Sequence, residues 1–128
     1  MSRTVLDASV LLAVLNSEPG AEKISAQVLS DTVVSTVNLA EVHGKLVKDG
    51  VPAADAWLAA ISVAGEIAPF TSEQAKITGT LIEQTHRQGL SLGDRACLAL
   101  AISLGAPVYT ADRSWKNLRV GVPIHFIR

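Results

Sequence analysis

The sequence predicts an α/β fold, a three-layer α/β/α sandwich with a parallel sheet of about five strands. Two observations carry that expectation. Short β-branched runs alternate with longer helical patterns from one end of the chain to the other, and Gly and Pro mark the junctions. Strands joined by helical crossovers must run parallel, and such a sheet is covered on both faces.

Strand candidates fall at residues 4–6, 32–35, roughly 66–70, 108–110 and 124–127, with helical patterns at 9–15, 21–29, 37–48, 53–63, 72–88 and 92–104. Pro19-Gly20 parts the first two helices, and Gly50-Val51-Pro52 parts the third and fourth. "TSEQ" at 71–74 and "SLGD" at 91–94 fit capping boxes that open the fifth and sixth, and Gly105-Ala106-Pro107 stops the sixth. The segment "DRACLALAISLG" is apolar around most of its circumference, so it is expected to be covered on nearly every side, as a central helix or partly as an oligomer contact. No repeat, linker or low-complexity stretch interrupts the pattern, and residues 1–128 read as one domain.

Apolar residues make up 48% of the 128, yet only five residues are aromatic, so the core is built from Ala, Val, Leu and Ile. The single cysteine, Cys97, excludes an intramolecular disulfide and a cysteine-based zinc site, and its apolar helical surroundings mark it as a core residue. The apolar run near the start is too short to span a bilayer and is broken by Asp7 and Asn16, so a soluble, cytoplasmic protein is expected. A formal charge of −1 is not the basic footprint of a nucleic-acid binder, although neutralising four of the twelve carboxylates would leave +3.

Those carboxylates are the informative residues. Open parallel sheets gather ligand sites outside the carboxyl ends of their strands. Asp7 follows the first strand directly, Asp112 follows the fourth, and Glu41 sits in the opening turns of the helix after the second, so all three fall at one edge. Asp94, in the first turn of the helix leading into the fourth strand, is expected there only if that turn folds back across the edge.

Each acid also has a purely structural use. Asp7 can start the first helix, Glu41 can pair with Lys45, Asp94 can complete the Ser91 box, and Asp112 can cap the turn "DRSWKNL". Taken together they point further, because acids set right after apolar strands carry a desolvation cost that a bound cation relieves. Carboxylates and water suit Mg²⁺ or Mn²⁺, and His43, His86 and His125 are too scattered for a zinc spacing.

"TVLDASVLLAVL", "STVNLAEVHGKL" and "LSLGDRACLALAISLGAPVYTADRSW" together resemble the PIN domain, specifically the VapC-type toxins of type II toxin-antitoxin pairs, over essentially the whole chain. The resemblance implies a metal-dependent endoribonuclease using Mg²⁺ or Mn²⁺. It makes Asp7, Glu41, Asp94 and Asp112 the acidic catalytic and metal-binding set, with Ser9 and Thr110 as supporting polar residues. Some relatives carry a further acid two residues after the last Asp, where this chain has Ser114, which points to one tightly held ion and a second arriving with substrate.

RNA would be held by cations near the acids, namely Arg95, Arg113, Lys116 and Arg119, while Trp115 is expected to be a buried anchor. The resemblance further implies a homodimer and a VapB-like antitoxin. A groove for that antitoxin is expected around Gly50-Val51-Pro52, with Val42, Leu46, Val47 and the stretch 57–61. Two other readings compete: a non-catalytic interaction protein on the same fold, and a phosphoacceptor receiver-like module. The receiver would need paired acids after the first strand and a Lys after the last, where this chain has Asp7 alone and "IHFIR".

Overall fold

The computed structural model describes residues 3–128. Five strands, β1 (Thr4–Leu6), β2 (Thr32–Ser35), β3 (Glu66–Ala68), β4 (Val108–Thr110) and β5 (Ile124–Phe126), form one sheet in the order β3-β2-β1-β4-β5, every pairing parallel. Val5 lies opposite both Val33 and Val108, which fixes the register at the centre. The α/β expectation holds, and the strand order separates this sheet from the receiver type, whose order is 2-1-3-4-5.

Among the described residues seven helices cover the two faces: α1 (Ala8–Asn16), α2 (Ala26–Ser30), α3 (Thr36–Lys48), α4 (Ala53–Ser62), α5 (Ser72–Thr80), α6 (Ile82–Thr85) and α7 (Leu92–Leu104). Alternation along the strands divides the core. Leu6 and Val34 join a cluster with Val10, Leu11 and Val42, whereas Val5, Val33 and Val108 join Leu98, Leu100 and Trp115 on the opposite face. Burying a Val or Leu of this kind contributes roughly 1.5–3 kcal/mol.

Three expected elements come out differently. The 21–29 helix divides into a 3-10 turn (Ala21–Lys23) and α2, because Ile24 leaves the helical region and the Ser25 hydroxyl accepts the Val28 amide to start a new helix. The 72–88 helix divides into α5, α6 and a 3-10 turn (His86–Gln88), and the first break follows Thr78-Gly79-Thr80, a stretch of low helix propensity. The third strand stops at Ala68 because Pro69 has no amide to continue the ladder.

Helix α7 matches its expected bounds. Its capping box is complete, with Ser91 and Asp94 satisfying each other's amides, and Gly105 closes it in the left-handed region at φ 61°. Seven of its residues are buried, among them Ala96, Cys97, Ala99 and Ala101, whose small side chains let sheet and α5 approach closely. No helix among the described residues is long and apolar enough to cross a membrane.

Candidate functional site

Strand order locates the site. From β1 the chain builds β2 and β3 to one side and returns to place β4 and β5 on the other, so a crevice opens at the carboxyl end of β1 beside β4. Asp7 stands there as the first residue after β1, only 3% exposed. It occupies the N-cap position of α1, yet its carboxylate makes no capping bond. Helix initiation therefore does not account for it.

Side chains from both strand ends fix this carboxylate instead. Ser9 Oγ donates to Asp7 Oδ2 at 2.7 Å and Thr110 Oγ1 donates to the same oxygen at 2.9 Å. The hydroxyls are held in turn by amides of the loop after β4, Ala111 N to Ser9 and Asp112 N to Thr110. Among the described residues no donor reaches Oδ1. Burial raises the Asp7 pKa from 3.8 to about 6, the two hydroxyls act against that rise, and the charges of Asp94 and Glu41 add to it.

Glu41 joins from α3. It does not pair with Lys45, which instead binds Asp49 at 3.2 Å. Its Oε1 accepts from Asn38 Nδ2 at 2.8 Å, and the same nitrogen donates to the Gly93 carbonyl at 3.0 Å, tying the start of α3 to the start of α7. Its pKa is raised, chiefly by the loss of surrounding water and then by Asp94.

Asp94 reaches this edge without any folding back, because a crossover helix runs antiparallel to the strands it connects and so begins at their carboxyl ends. Its Oδ2 accepts the Ser91 amide at 2.9 Å, so this acid does cap its helix while sitting within the field of Asp7 and Glu41. Cys97, one turn further along α7, is fully buried, and its thiol is pushed well up by burial and then by Asp7, Asp94 and Glu41. It packs behind the acids as an unreactive core residue.

Asp112 is half-buried, and its Oδ1 accepts the Ser114 amide at the head of a 3-10 turn (Arg113–Trp115). Thr110 links it to Asp7, accepting from the Asp112 amide and donating to the Asp7 carboxylate. Among the described residues no three His, Cys, Asp or Glu side chains stand as a ready-made metal shell. Two of the acids are turned toward local amides, which explains the spacing.

The donor set still fits a hard cation. Mg²⁺ takes one or two carboxylates and fills its remaining positions with water. Asp7 offers one oxygen without a donor in a nearly closed position, and the Glu41 carboxylate lies where a side chain at Gly93 would otherwise begin.

Two of the four expected RNA contacts are already engaged within the chain. Arg95 donates to the Thr78 carbonyl at 3.0 Å, and Arg113 lies 4.8 Å over the Phe126 ring and donates to the Arg128 carbonyl. Lys116 and Arg119 are exposed. Trp115 is 1% exposed and packs in the core. Of the expected groove, Val42 and Leu46 belong to the core, whereas Val47, Trp57 and Leu58 are open to solvent.

Asn38 and Gly93 were not singled out by sequence. The available signals were an Asn three residues before Glu41 on one helix, hence on the same face, and a Gly inside a first helical turn.

The family model described as PIN domain matches residues 4–121. Among solved structures, DNA-bound VapBC from Salmonella typhimurium superposes with a TM-score of 0.76 at 20% identity, covering 100% of both chains. The sarcin-ricin loop cleaving toxin VapC20 of Mycobacterium tuberculosis superposes with a TM-score of 0.75 at 17% identity, covering 94% of this chain and 99% of that one. VapBC2 from Rickettsia felis, bound to a promoter DNA fragment, gives 0.73 at 17% identity, with 96% and 97% covered. Among curated proteins no sequence relative was found.

Proposed function

The chain belongs to the PIN domain family, and from that premise we propose that it is a metal-dependent endoribonuclease acting as the toxin of a toxin-antitoxin pair. The observation that carries the reading is the nearly closed Asp7 carboxylate, held on one oxygen by Ser9 and Thr110 and lying within the electrostatic reach of Glu41 and Asp94. At the switch point of a parallel sheet the charge of Asp94 raises the proton affinity of both Asp7 and Glu41, and a divalent cation relieves that repulsion.

Asp7, Glu41 and Asp94 would hold the ion, with Asp112 alongside. Mg²⁺ or Mn²⁺ bound there would polarise a scissile phosphate and lower the pKa of a water for its hydrolysis. The chain's own residues supply the rest. Ser9 and Thr110 keep Asp7 from rotating, and Asp94 draws its position from the Ser91 cap. Arg95, Arg113 and Lys116 bring positive charge toward an RNA backbone.

The partners follow from the same reading. Structural neighbours include toxin-antitoxin complexes, among them VapBC-5 from Mycobacterium tuberculosis, which supports a small VapB-like antitoxin as partner, and a second copy of the chain is the other partner proposed. Val47, Trp57 and Leu58 provide apolar surface for such a contact. A cytoplasmic setting fits both partners.

Expression in a bacterial host tests the proposal. The chain alone is expected to arrest growth and to generate new RNA ends, and co-expression of the neighbouring reading frame is expected to suppress both. Normal growth with an unchanged RNA pool at full expression would overturn it and favour a non-catalytic interaction protein.

A further inference from the structure

We propose that Asn38 is a positioning residue that holds the Glu41 carboxylate against the first turn of α7, and that Gly93 is the socket admitting it. This inference rests on the cation-binding reading above. Asn38 is fully buried, and its single amide nitrogen donates twice, to Glu41 Oε1 at 2.8 Å and to Gly93 O at 3.0 Å. Both acceptors are needed to see its role. One lies on its own helix, three residues on, and the other lies 55 residues away on α7.

Only an amide serves both acceptors from one uncharged nitrogen. Asp offers no donor when ionised, and Ser or Thr offers one. The orientation is fixed as well, since turning the amide would set its oxygen against two other acceptors.

That orientation leaves Asn38 Oδ1 buried without a partner. An unpaired buried acceptor carries a desolvation penalty that an apolar side chain of similar size would avoid. Packing alone therefore does not explain an Asn at this position, whereas holding Glu41 does.

Gly93 completes the device. A Cβ built on it would fall on the Glu41 carboxyl group, meeting its carbon and both oxygens inside any real contact distance. The acid thus rests where any other residue would place a side chain, one position from Asp94. Glu41 is otherwise an exposed residue near the start of α3. Released from the amide, it is free to turn into solvent, and the cation loses one of its carboxylates.

The test is Mn²⁺ titration of the intact chain by calorimetry, with wild type, N38A, G93A, E41A and the doubles N38A/E41A and G93A/E41A, each checked for cooperative thermal unfolding. N38A and G93A are each expected to weaken Mn²⁺ binding about tenfold, the usual scale for a residue orienting a ligand. In the E41A background neither is expected to weaken it more than about twofold further, because both act through the same carboxylate. G93A guards against misfolding of N38A, since its added Cβ meets only the end of a flexible side chain.

Equal losses with and without Glu41 would overturn the inference and leave the cation reading intact. A wild-type chain that takes up no Mn²⁺ would instead overturn the cation reading. The clamp itself is then decided in the metal-free protein. E41A is expected to shift the Asn38 side-chain amide resonances and speed their hydrogen exchange, and unmoved resonances would overturn it.

Discussion

Thr110 reaches across 103 positions of sequence to donate a hydrogen bond from its hydroxyl to Asp7, and that hydroxyl oxygen accepts the Asp112 amide at 3.0 Å. One side chain therefore ties the acid after β1 to the loop after β4. Thr110→Val keeps the shape and removes both bonds. Its stability in EDTA is expected to fall by about 1–3 kcal/mol, with Thr110→Ser recovering most of the loss. Urea unfolding at pH 7 measures this, and an unchanged midpoint for the Val variant contradicts it.

Asp7 makes stability depend on pH in a definite direction. The folded chain keeps this proton until about pH 6, whereas an unfolded chain releases it near 3.8. Between those values the folded state binds more protons, so stability falls as pH rises, and above about pH 6 the full penalty is present. Asp7→Asn cannot ionise and its oxygen still accepts from Ser9 and Thr110. In EDTA at pH 7.5 it is expected to be more stable than wild type by up to about 3 kcal/mol, with the gap closing toward pH 4. A gap that stays constant across this range contradicts the assignment.

Asp94 has two duties that substitution separates. Asp94→Asn keeps an oxygen for the Ser91 amide, so its stability is expected to change by less than about 1 kcal/mol while RNA cleavage is lost. Ser91→Ala removes the hydroxyl that accepts the Asp94 amide and is expected to cost about 1 kcal/mol with cleavage retained within severalfold. Paired unfolding curves and cleavage rates check both variants. Similar cleavage losses in the two would mean that Asp94 acts through its cap alone.

Much of this was legible in the chain because the signals were local. Strand runs, helix caps and the Gly and Pro junctions set the element order, and placing Asp7 and Asp112 straight after strands put them at one edge. What was not legible depends on contacts distant in sequence. The pattern at 72–88 reads as one continuous helix because a break after Thr80 leaves the apolar period almost intact. The Asn38 bond to Gly93 spans two helices whose meeting no local pattern announces. The turn at Asp94 taken locally does not say which edge it meets, whereas the antiparallel run of a crossover helix decides where it starts.

Arg113 illustrates a side chain whose use is divided. Stacked on Phe126 and bonded to the Arg128 carbonyl, it steadies the carboxyl-terminal end of the chain while carrying charge beside Asp112. Arg113→Ala is expected to lower stability by about 0.5–1 kcal/mol. Measured on the Asp7→Asn background, it is also expected to reduce the salt slope of RNA binding by about one. An unchanged slope would confine Arg113 to its structural contact.

In the proposed function Asp7 is buried at a cost to the fold because it serves a cation and a phosphodiester. The rate of RNA cleavage by Asp7→Asn beside wild type, in Mn²⁺ and in EDTA, tests it most directly. The expected result is cleavage by wild type in Mn²⁺ only and a loss of at least about a hundredfold in a folded, more stable variant. Undiminished cleavage by Asp7→Asn, or wild-type cleavage that survives EDTA, would contradict it.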